Sequence, residues 1–435
     1  MFVVAKFGGS SLASAEQFKK VKGIVSSSDV RNIVVVSAAG KRNKADSKLT
    51  DLLFLLHAHL RYSVPYENVW NLIETRFLDI KKELDLKIDI KQELEELKST
   101  LSKDTNEDFL VSRGEYFTAR LMSEYLGYQF VDAKDLILFN YDGTLNQEKT
   151  KEAVNIAFKK YGKMIVPGFY GAYPDGQIHL LSRGGSDVTG SILAQASGAT
   201  KYENWTDVSG VLMADPRIID NPKGITQITY SELRELSYMG ASVLHQETVF
   251  PVQQANIPIY IKNTNKPEDE GTIIQENCDD DSQIITGIAG KKNFTSFTIY
   301  RDQMSNEVGV ISAALAVFDK YKISIEHIPT GIDNFSVVVE SKDVEKILYD
   351  VVADLRNNIS GSTVTVEDGI ALVAVVGRNM ASKPGISGKI FGVIGNAGIN
   401  IKMIAQGSQE LNIIVGVLNE DFEKTIKSIY DAFVK

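Results

Sequence analysis

Near the start of the chain, a lysine stands just before two glycines and two serines. The stretch "VVAKFGGSSL" (residues 3–12) places Lys6 at the end of an apolar run, with Gly8 and Gly9 following. Adjacent glycines let successive backbone N–H groups converge on an anion, and a helix that begins after them adds positive partial charge. The spacing matches neither G-x-x-x-x-G-K-[ST] nor G-x-G-x-x-G. It indicates a phosphate-binding turn beneath the lysine ammonium, although tight geometry alone also explains paired glycines.

A second stretch repeats this pattern. "LLSRGGSDVTGSILA" (residues 180–194) places Arg183 before two glycines and Asp187 at the start of a predicted helix. Ligands of open α/β sheets bind at the carboxyl ends of the strands, so we expect the two turns to face each other there. A surface ion pair between Arg183 and Asp187 is the alternative. The repetition favours one site with two glycine turns, two cations and a carboxylate.

Two further polar segments accompany the turns. "ENWTDVSGVLMADPRI" (residues 203–218) carries hydroxyl, carboxylate and guanidinium groups suited to ribose and phosphate, and a turn-rich connection is the alternative. "LVSRGEYFTARLMSEYL" (residues 110–126) predicts an amphipathic helix with Glu115 near its start, where the carboxylate could instead cap the helix. None of the five histidines has metal-ligand spacing, so no metal site made by the protein alone is expected.

Strands and helices alternate over the first 270 residues and must position these groups. Short apolar runs predict strands at residues 32–38 and 257–262 and a hairpin over 162–182. Helical spacing of apolar residues occurs at 187–199 and 230–245. This alternation predicts an α/β domain with a mostly parallel sheet covered on both faces.

The last 150 residues contain an internal repeat at a constant offset of 76 residues, after an acidic linker at residues 276–283. Met304 aligns with Met380 and Gly309 with Gly385, without a gap. Each copy has the βαββαβ pattern of a small α+β module. Such a duplication by itself indicates packing or dimerisation, and ligand binding is a separate inference.

Composition limits the class of protein. The 435 residues predict two or three domains, and the net charge of −9 argues against a nucleic-acid groove or an anionic membrane surface as partner. The single cysteine, Cys278, cannot form an internal disulfide and indicates a reducing compartment. Apolar runs of 18 residues and a signal-peptide pattern are lacking. We therefore expect a cytoplasmic, multidomain protein without a membrane span.

Together, the motifs KFGGSS, SRGE, SRGGSD and WTDVSG…DPR resemble those of the aspartokinases, in the family order and over essentially the whole chain. The resemblance implies a monofunctional enzyme with an amino-acid-kinase (carbamate-kinase-like) domain at residues 1–280. Two ACT modules would follow it. The first, residues 294–365, would be inserted in the second, which residues 284–291 and 368–435 would form.

The implied reaction transfers the γ-phosphoryl group of ATP, with Mg²⁺, to the β-carboxylate of L-aspartate, the first step towards lysine, threonine and methionine. A carboxylate nucleophile is already ionised at pH 7, so no general base is needed, and the obstacle is bringing two anions together. The resemblance assigns Arg183 to the α-carboxylate of aspartate and Glu115 to its α-ammonium. The implied catalytic residues are Lys6, Gly8, Gly9 and Asp187, with Ser37 and Thr50 as further aspartate contacts.

The implied nucleotide contacts include two departures from the family pattern. Leu212 stands where the family has an aromatic residue near adenine, and the late lysine of the family maps to Lys262 or Lys266. Thr50 is also displaced from its usual position by the longer segment "GKRNKADSKLTDLL". The full set is Lys6, Gly8, Gly9, Ser10, Thr206, Asp207, Leu212, Arg217 and Lys262.

The resemblance further implies feedback inhibition by an amino acid bound between ACT modules of two subunits, in a homodimer or a dimer of dimers. A carboxylate at Glu326 or Glu307 suits the cationic side chain of lysine, which is the first expectation, with threonine, alone or with lysine, as the alternative. His327 is expected to pack rather than bind a ligand. The implied effector contacts are Met304, Glu307, Gly309, Val310, Ile311, Ile325 and Glu326.

Two other functions compete with this one. Kinases for glutamate or acetylglutamate share the glycine turns but lack the combination of SRGE with WTDVSG…DPR. A catalytically inactive amino-acid sensor would use only the C-terminal modules, and the presence of Lys6, Arg183 and Asp187 argues against it.

Overall fold

The computed structural model describes residues 2–182, 184–241, 244, 246–278, 284–378, 380, 383–407 and 411–434. The chain forms two compact units that do not follow chain order. The first unit comprises Met1–Val211, Gly224–Tyr230 and Val243–Cys278, and the second comprises Leu212–Lys223, Ser231–Ser242 and Asp279–Lys435. Two short segments from the first 278 residues therefore belong to the second unit.

The described residues of the first unit contain ten strands. They are β1 (Val3–Phe7), β2 (Arg31–Val36), β3 (Gln129–Phe130), β4 (Met164–Pro167), β5 (Tyr170–Ala172), β6 (Ile178–Leu180), β7 (Lys201–Thr206), β8 (Gln227–Thr229), β9 (Ile259–Asn263) and β10 (Thr272–Gln275). Eight of them form a sheet in the order β3-β4-β2-β1-β7-β9-β10-β8, in which every neighbouring pair is parallel except β9 and β10. Strands β5 and β6 form an antiparallel hairpin. The mostly parallel α/β arrangement agrees with the prediction.

Helices connect these strands. They are α1 (Ala15–Ser26), α2 (Leu49–Arg61), α3 (Glu67–Glu83), α4 (Ile90–Thr100), α5 (Glu107–Leu126), α6 (Gln147–Tyr161), α7 (Gly185–Ser197), α8 (Tyr230–Tyr238) and α9 (Gln246–Gln254). Helix α5 begins earlier than predicted, because the Asn106 side chain accepts a hydrogen bond from the Phe109 N–H and caps it. Helix α8 ends seven residues before the predicted end of its helix.

A large apolar core fills the first unit. Phe7 on β1, Phe18 on α1, and Trp70 and Phe77 on α3 are buried in it. Burying an aromatic or aliphatic side chain of this size contributes about 1.5–3 kcal/mol relative to leaving it exposed. This packing fixes the central strands, and the carboxyl ends of β1 and β7 carry two of the motifs identified in the sequence, KFGGSS and WTDVSG.

The second unit contains one antiparallel sheet of five strands. These are β11 (Gly287–Tyr300), β12 (Asn334–Glu340), β13 (Thr363–Val376), β14 (Met403–Gln406) and β15 (Asn412–Leu418), in the order β12-β11-β13-β15-β14. Its helices are α10 (Val310–Lys320), α11 (Ser341–Val344), α12 (Leu348–Asn358), α13 (Ile386–Asn396) and α14 (Phe422–Phe433).

The internal repeat is visible in this unit. The long strands β11 and β13 pair over most of their length, with register shifts between Lys291 and Ser296, and thus serve both copies. Gly309 (φ +92°) and Gly385 (φ +89°) hold the same place before α10 and α13. The first copy has only isolated bridges at His327 and Thr330 where the second has β14. In the part of the chain that the structure describes, no helix is both long and apolar enough to cross a membrane.

Candidate active site

A buried ion pair joins the two motifs that begin with a strand and a glycine turn. Lys6 on β1 is only 6% exposed, and its Nζ forms a salt bridge with Oδ1 of Asp187, in the first turn of α7. Asn204, opposite Lys6 on β7, lies 3.5 Å from Nζ through its Oδ1 and donates from Nδ2 to Asp187 Oδ1 at 2.8 Å. Each group compensates part of the desolvation of the others, as buried charges require.

The first glycine turn is held by close backbone contacts. The Gly8 N–H donates to Trp205 O at 2.9 Å, and Gly40 N–H donates to Gly9 O at 2.8 Å. A Cβ atom on Gly9 would lie 2.9 Å from Ala38 O, and one on Gly40 would lie 2.5 Å from Gly9 C. The loops after β1 and β2 thus interlock, and glycine is required here by proximity rather than by a positive φ.

The helix after this turn differs from the prediction. A single 3-10 turn, Gly9–Leu12, follows directly, and α1 begins only at Ala15, where the Ser14 side chain accepts from the Gln17 N–H. The positive end nearest the turn therefore belongs to the 3-10 segment. Ser11 in that segment shares a 2.7 Å hydrogen bond with Thr264, so the turn is also tied to the loop after β9.

The second glycine turn leads straight into a helix, as predicted. Gly184 has φ +76° and precedes α7, and a Cβ on Gly185 would lie 2.5 Å from the Phe169 ring. Phe169 itself has φ +78°, and its N–H donates to Thr189 Oγ1 at 3.0 Å. Arg183 lies outside the described residues. The salt bridge between Lys6 and Asp187 brings the two turns together.

Glu115 occupies the middle of α5 and does not cap it. The side chain is 4% exposed, and Oε2 has no hydrogen-bond partner. Burial raises the pKa of Glu115 to about 8, against the lowering effects of the Ala38 amide, its own amide and the charge of Arg113. Its contact with Ala38 places the carboxyl beside the loop after β2. An ammonium group brought to this oxygen would favour the ionised form.

The loop that follows β2 carries two more of the implied aspartate contacts. Ser37 comes directly after β2, where its N–H donates to Phe7 O at 3.1 Å, and Thr50 is half-buried in the first turn of α2. Arg76, on the apolar face of α3, donates to Gly40 O at 2.6 Å and to Asp46 Oδ2 at 2.7 Å. Arg76 thus holds the loop between Ser37 and Thr50 in place. This residue was not identified from the sequence, although a charged side chain at an apolar position of a helix could have indicated it.

Asp46 in this loop is held in its ionised form. Burial opposes ionisation, but hydrogen bonds from Arg42 and the charges of Arg76 and Arg42 lower the pKa of Asp46 to about 2. The carboxylate is therefore a permanent anchor for Arg76 at neutral pH.

The residues assigned to the nucleotide are distributed over both units. Ser10 is exposed in the 3-10 turn, and Thr206 and Asp207 lie at the carboxyl end of β7. Leu212 and Arg217 belong to the second unit, where the exposed Arg217 pairs with Asp215 at 2.6 Å.

Lys262 is not placed with Lys6. It lies in register with Trp205, one residue along from Asn204, so its side chain leaves the opposite face of the sheet. Its Nζ donates to the carbonyl of Asp269, and burial lowers the pKa of Lys262. Lys266, the other candidate, follows the carboxyl end of β9.

The effector residues implied by the sequence cluster around the start of α10 and the segment after it. Met304 is buried and Gly309 precedes Val310 and Ile311 at the start of α10. Ile325 and Glu326 follow α10, and Glu326 accepts a 2.8 Å hydrogen bond from the Tyr238 hydroxyl. Glu307 pairs instead with Arg301.

His327 is half-buried, and burial lowers the pKa of its imidazole. Its Nε2 atom is buried without a hydrogen-bond partner. Throughout the described ranges, no three histidine, cysteine, aspartate or glutamate side chains are grouped so that they could hold a metal ion.

Comparison with known families agrees with this architecture. The profile of the amino acid kinase family matches residues 1–263, and that of the ACT domain matches residues 373–433. The chain is 35% identical over 445 residues to aspartokinase 3 of Bacillus subtilis (strain 168), with 99% of this chain and 98% of that protein covered.

Solved structures show the same similarity. The crystal structure of Clostridium acetobutylicum aspartate kinase has a TM-score of 0.92 and 45% identity, with 99% of each chain covered. Two crystal structures of E. coli aspartokinase III cover 100% of both chains at 25% identity. One, described as the R-state, contains aspartate and ADP (TM-score 0.74), and the other, described as the T-state, contains lysine and aspartate (TM-score 0.76).

Proposed function

The chain belongs to the aspartokinase family, within the amino acid kinases, and on that premise we propose that it transfers the γ-phosphoryl group of ATP to the β-carboxylate of L-aspartate. The product is 4-phospho-L-aspartate. The observation that carries the proposal is the buried Lys6–Asp187 pair, which joins the glycine turn after β1 of the parallel sheet to the glycine turn after β6 of the antiparallel hairpin.

Lys6 and the first glycine turn would act on the phosphates. With Gly8 and Gly9 lacking side chains, the backbone can approach an anion, and a Cβ on Gly8 would lie 3.4 Å from Lys6 Nζ. Charge spreads over the transferred phosphoryl group in the transition state, and a fixed ammonium in a buried site stabilises that charge. Asp187 and Asn204 hold the ammonium in place.

Mg²⁺ would accompany ATP. This ion is usually bound by substrate phosphates and one or two carboxylates, and Asp187, which pairs with Lys6, would be the carboxylate nearest the first glycine turn to contribute. When bound, the ion neutralises phosphate charge. Thr206 and Asp207 at the end of β7 would contact the nucleotide, with Ser10 from the 3-10 turn.

Aspartate would be oriented through its α-ammonium and α-carboxylate groups. The unpartnered Oε2 of Glu115 suits the α-ammonium, which an unsubstituted diacid lacks. Arg183 would bind the α-carboxylate, and Ser37 and Thr50 would complete the pocket. Selection therefore depends on the ammonium, while the β-carboxylate remains directed at Lys6.

An activity assay with hydroxylamine tests the reaction, because hydroxylamine traps acyl phosphates as hydroxamates. With ATP, Mg²⁺ and L-aspartate, we expect hydroxamate formation, and much less with L-glutamate or N-acetyl-L-glutamate. Product only with one of the latter substrates would identify another amino-acid kinase. Absence of product with all three would refute the proposed reaction.

We also propose that lysine inhibits the enzyme through the ACT modules, with threonine as the alternative effector. The carboxylate of Glu326, in the segment after α10, would bind the lysine side chain, and the lysine complex of E. coli aspartokinase III supports the choice. The modules would be residues 294–365, inserted in a module of residues 284–291 and 368–435. Two subunits would pair through them as a homodimer or a dimer of dimers.

A further inference from the structure

Helix α8 is attached to the second unit by buried charges near its start. Glu232 is fully buried and accepts hydrogen bonds from Thr286 Oγ1 at 2.5 Å and from Arg378 Nη1 at 2.8 Å. One turn later, Glu235 accepts a hydrogen bond from Asn412 Nδ2. Thr286 precedes β11, Arg378 follows β13 and Asn412 begins β15, so these bonds anchor the helix at the ends of three strands. The Glu232 carboxylate is shielded from solvent.

Tyr238, the last residue of α8, makes a hydrogen bond that is exposed to solvent. The Tyr238 side chain is 52% exposed, and its hydroxyl donates to Glu326 Oε2 at 2.8 Å. A ligand arriving from solvent can reach this bond, whereas it cannot reach Glu232. The chain also passes directly from β8 of the first unit's sheet into α8, since β8 ends at Thr229 and the helix begins at Tyr230.

The surroundings of this bond favour a cation. Burial, the hydrogen bond to Glu326, and the charges of Glu326, Glu340 and Glu235 raise the pKa of Tyr238 to about 12. Two lysines lie among these carboxylates, and both pair with Glu340. Lys291 Nζ lies 5.2 Å from the ring centroid and 3.9 Å from Glu340 Oε1, and the exposed Lys342 pairs with Glu340 Oε2. Hydrogen bonds between an ammonium and a carboxylate are about twice as strong as those between neutral groups. An amine ligand therefore competes well with a phenol for Glu326.

We propose that Tyr238 is a further residue of the effector site, and that the ammonium group of a cationic amino acid displaces its hydroxyl from Glu326. The inference rests on the proposed regulation by lysine. In the effector-free state the tyrosine holds the carboxylate and the end of α8. In the effector-bound state that end is released while Glu232 still anchors the start. The two states thus differ in one contact that the ligand exchanges, as coupling between sites requires.

Kinase assays with the Tyr238→Phe variant test the competition. Loss of the hydroxyl removes a bond that only the effector-free state makes, so lysine should bind more tightly. We expect half-inhibition at a lysine concentration about three- to tenfold lower than in the wild type, the change that one hydrogen bond of ordinary net strength gives. Each rate is compared with the uninhibited rate of the same variant.

Two further variants make the test specific. Tyr349→Phe removes the hydroxyl of an 87% exposed tyrosine on α12 and should leave inhibition unchanged. In a Glu326→Ala background, Tyr238→Phe should have no further effect on the response to lysine, because the shared hydrogen-bond acceptor is gone. Calorimetric titration of the full-length variants with lysine should give the same shifts in affinity as the kinase assay.

The outcomes separate this inference from the proposed function. A lysine-inhibited enzyme whose Tyr238→Phe variant has unchanged or weaker lysine sensitivity would refute the displacement and leave the proposed regulation intact. An enzyme that phosphorylates aspartate but does not respond to lysine would refute the proposed regulation and this inference together. Absence of aspartate phosphorylation in the wild type would refute the proposed reaction itself.

Discussion

The two units of the chain hold their functional charges in different ways. In the first, Lys6 and Glu115 are almost completely buried, and Lys6 is fixed by Asp187 and Asn204. In the second, Glu326 is held by a half-exposed tyrosine, and Glu307 pairs with Arg301 at the surface. Buried, fixed charges stabilise a transition state because they need no reorganisation, while exposed pairs are individually weak and easily exchanged. The contrast matches chemistry in one unit and reversible regulation in the other.

The second unit contains the same contrast between its two copies. Position 326 of the first copy corresponds to Lys402 in the second, where the ammonium pairs with Glu367. The helix start after glycine is retained in both, at Gly309 and Gly385. The backbone pattern is thus duplicated but the charge is reversed, so only the first copy offers a carboxylate at this position to a cationic amino acid.

Replacing Lys6 with methionine should have the largest effect. We expect kcat for aspartate phosphorylation to fall by at least roughly 10³-fold, since removal of one fixed donor to a developing charge already costs about 10²–10³-fold. Lysine affinity measured by calorimetry should stay within about twofold, because the residues proposed for the effector site belong to the other unit.

The exposed Lys19 on α1 provides the matched control, and Lys19→Met should retain full activity. If Lys6→Met abolished lysine binding as well as catalysis, the division of labour between the two units would be wrong.

Replacing Gly40 with alanine should disturb the first unit through packing alone. The new Cβ would lie 2.5 Å from Gly9 C, a backbone atom that cannot yield without moving the phosphate turn. We expect kcat/KM for ATP to fall roughly 10²-fold and the free energy of unfolding to fall by about 1–3 kcal/mol. Steady-state kinetics and urea unfolding measure the two effects.

Gly23→Ala in α1 is the control for this substitution, because a Cβ there meets no atom within 4 Å. It should raise stability by up to about 1 kcal/mol, the helix preference of alanine over glycine. Equal behaviour of the two variants would show that the interlocked loops are not a rigid support for the turn.

Charge removal at equivalent positions of the two copies tests the second unit. Glu326→Gln should raise the lysine concentration for half-inhibition by about 30-fold, because an ion-paired hydrogen bond becomes a neutral one. Lys402→Gln should change it by less than about twofold. Inhibition curves for both variants give the comparison, and a reversed order would place the effector at the second copy.

The sequence predicted the parts of the site that depend on local pattern. Lys6, Asp187 and the two glycine turns fall in short motifs, and the structure brings the two side chains together. The expectation that the turns follow neighbouring strands of one sheet is wrong, because the second turn follows β6 of the separate hairpin. The role of Asn204 could not be predicted, because it depends on which strand lies beside β1 and in which register. The register also decides the position of Lys262: it pairs with Trp205 rather than Asn204, and its side chain therefore leaves the opposite face of the sheet.

The assignment of residues 212–223 and 231–242 to the second unit could not be predicted from the sequence either. Residues 231–242 continue a strand–helix alternation, and no local property shows that they pack with the C-terminal sheet. Arg76 is an intermediate case, since a charged residue on the apolar face of a helix indicates a buried partner without identifying it. Most of the features that the sequence did not predict are contacts between segments that are distant in the chain, whereas the types of the helices and strands were largely predicted.

The smallest predicted effect is a pH dependence that arises from Glu115. Burial raises its pKa to about 8, so most of the substrate-free enzyme carries it protonated at pH 7. Because the α-ammonium of aspartate would pair with the ionised carboxylate in the proposed mode of binding, kcat/KM for aspartate should rise roughly tenfold between pH 7 and pH 9. Glu115→Gln should lower kcat/KM and give a profile without this rise, whereas Glu152→Gln, on the exposed face of α6, should keep it.

The ionisation of Glu115 should also change the free energy of unfolding with pH, and this gives an independent measurement. The folded-state pKa of Glu115 lies above 4.5, the ordinary value for a glutamate, so the folded protein binds the proton more tightly than the unfolded chain. The stabilising contribution is complete below about pH 4.5 and is lost as the pH rises through about 8. The free energy of unfolding of the wild type should therefore fall relative to Glu115→Gln across this range. Saturating aspartate should reduce that fall, because its ammonium compensates the buried carboxylate, and a pH-independent difference would mean that Glu115 is ionised throughout.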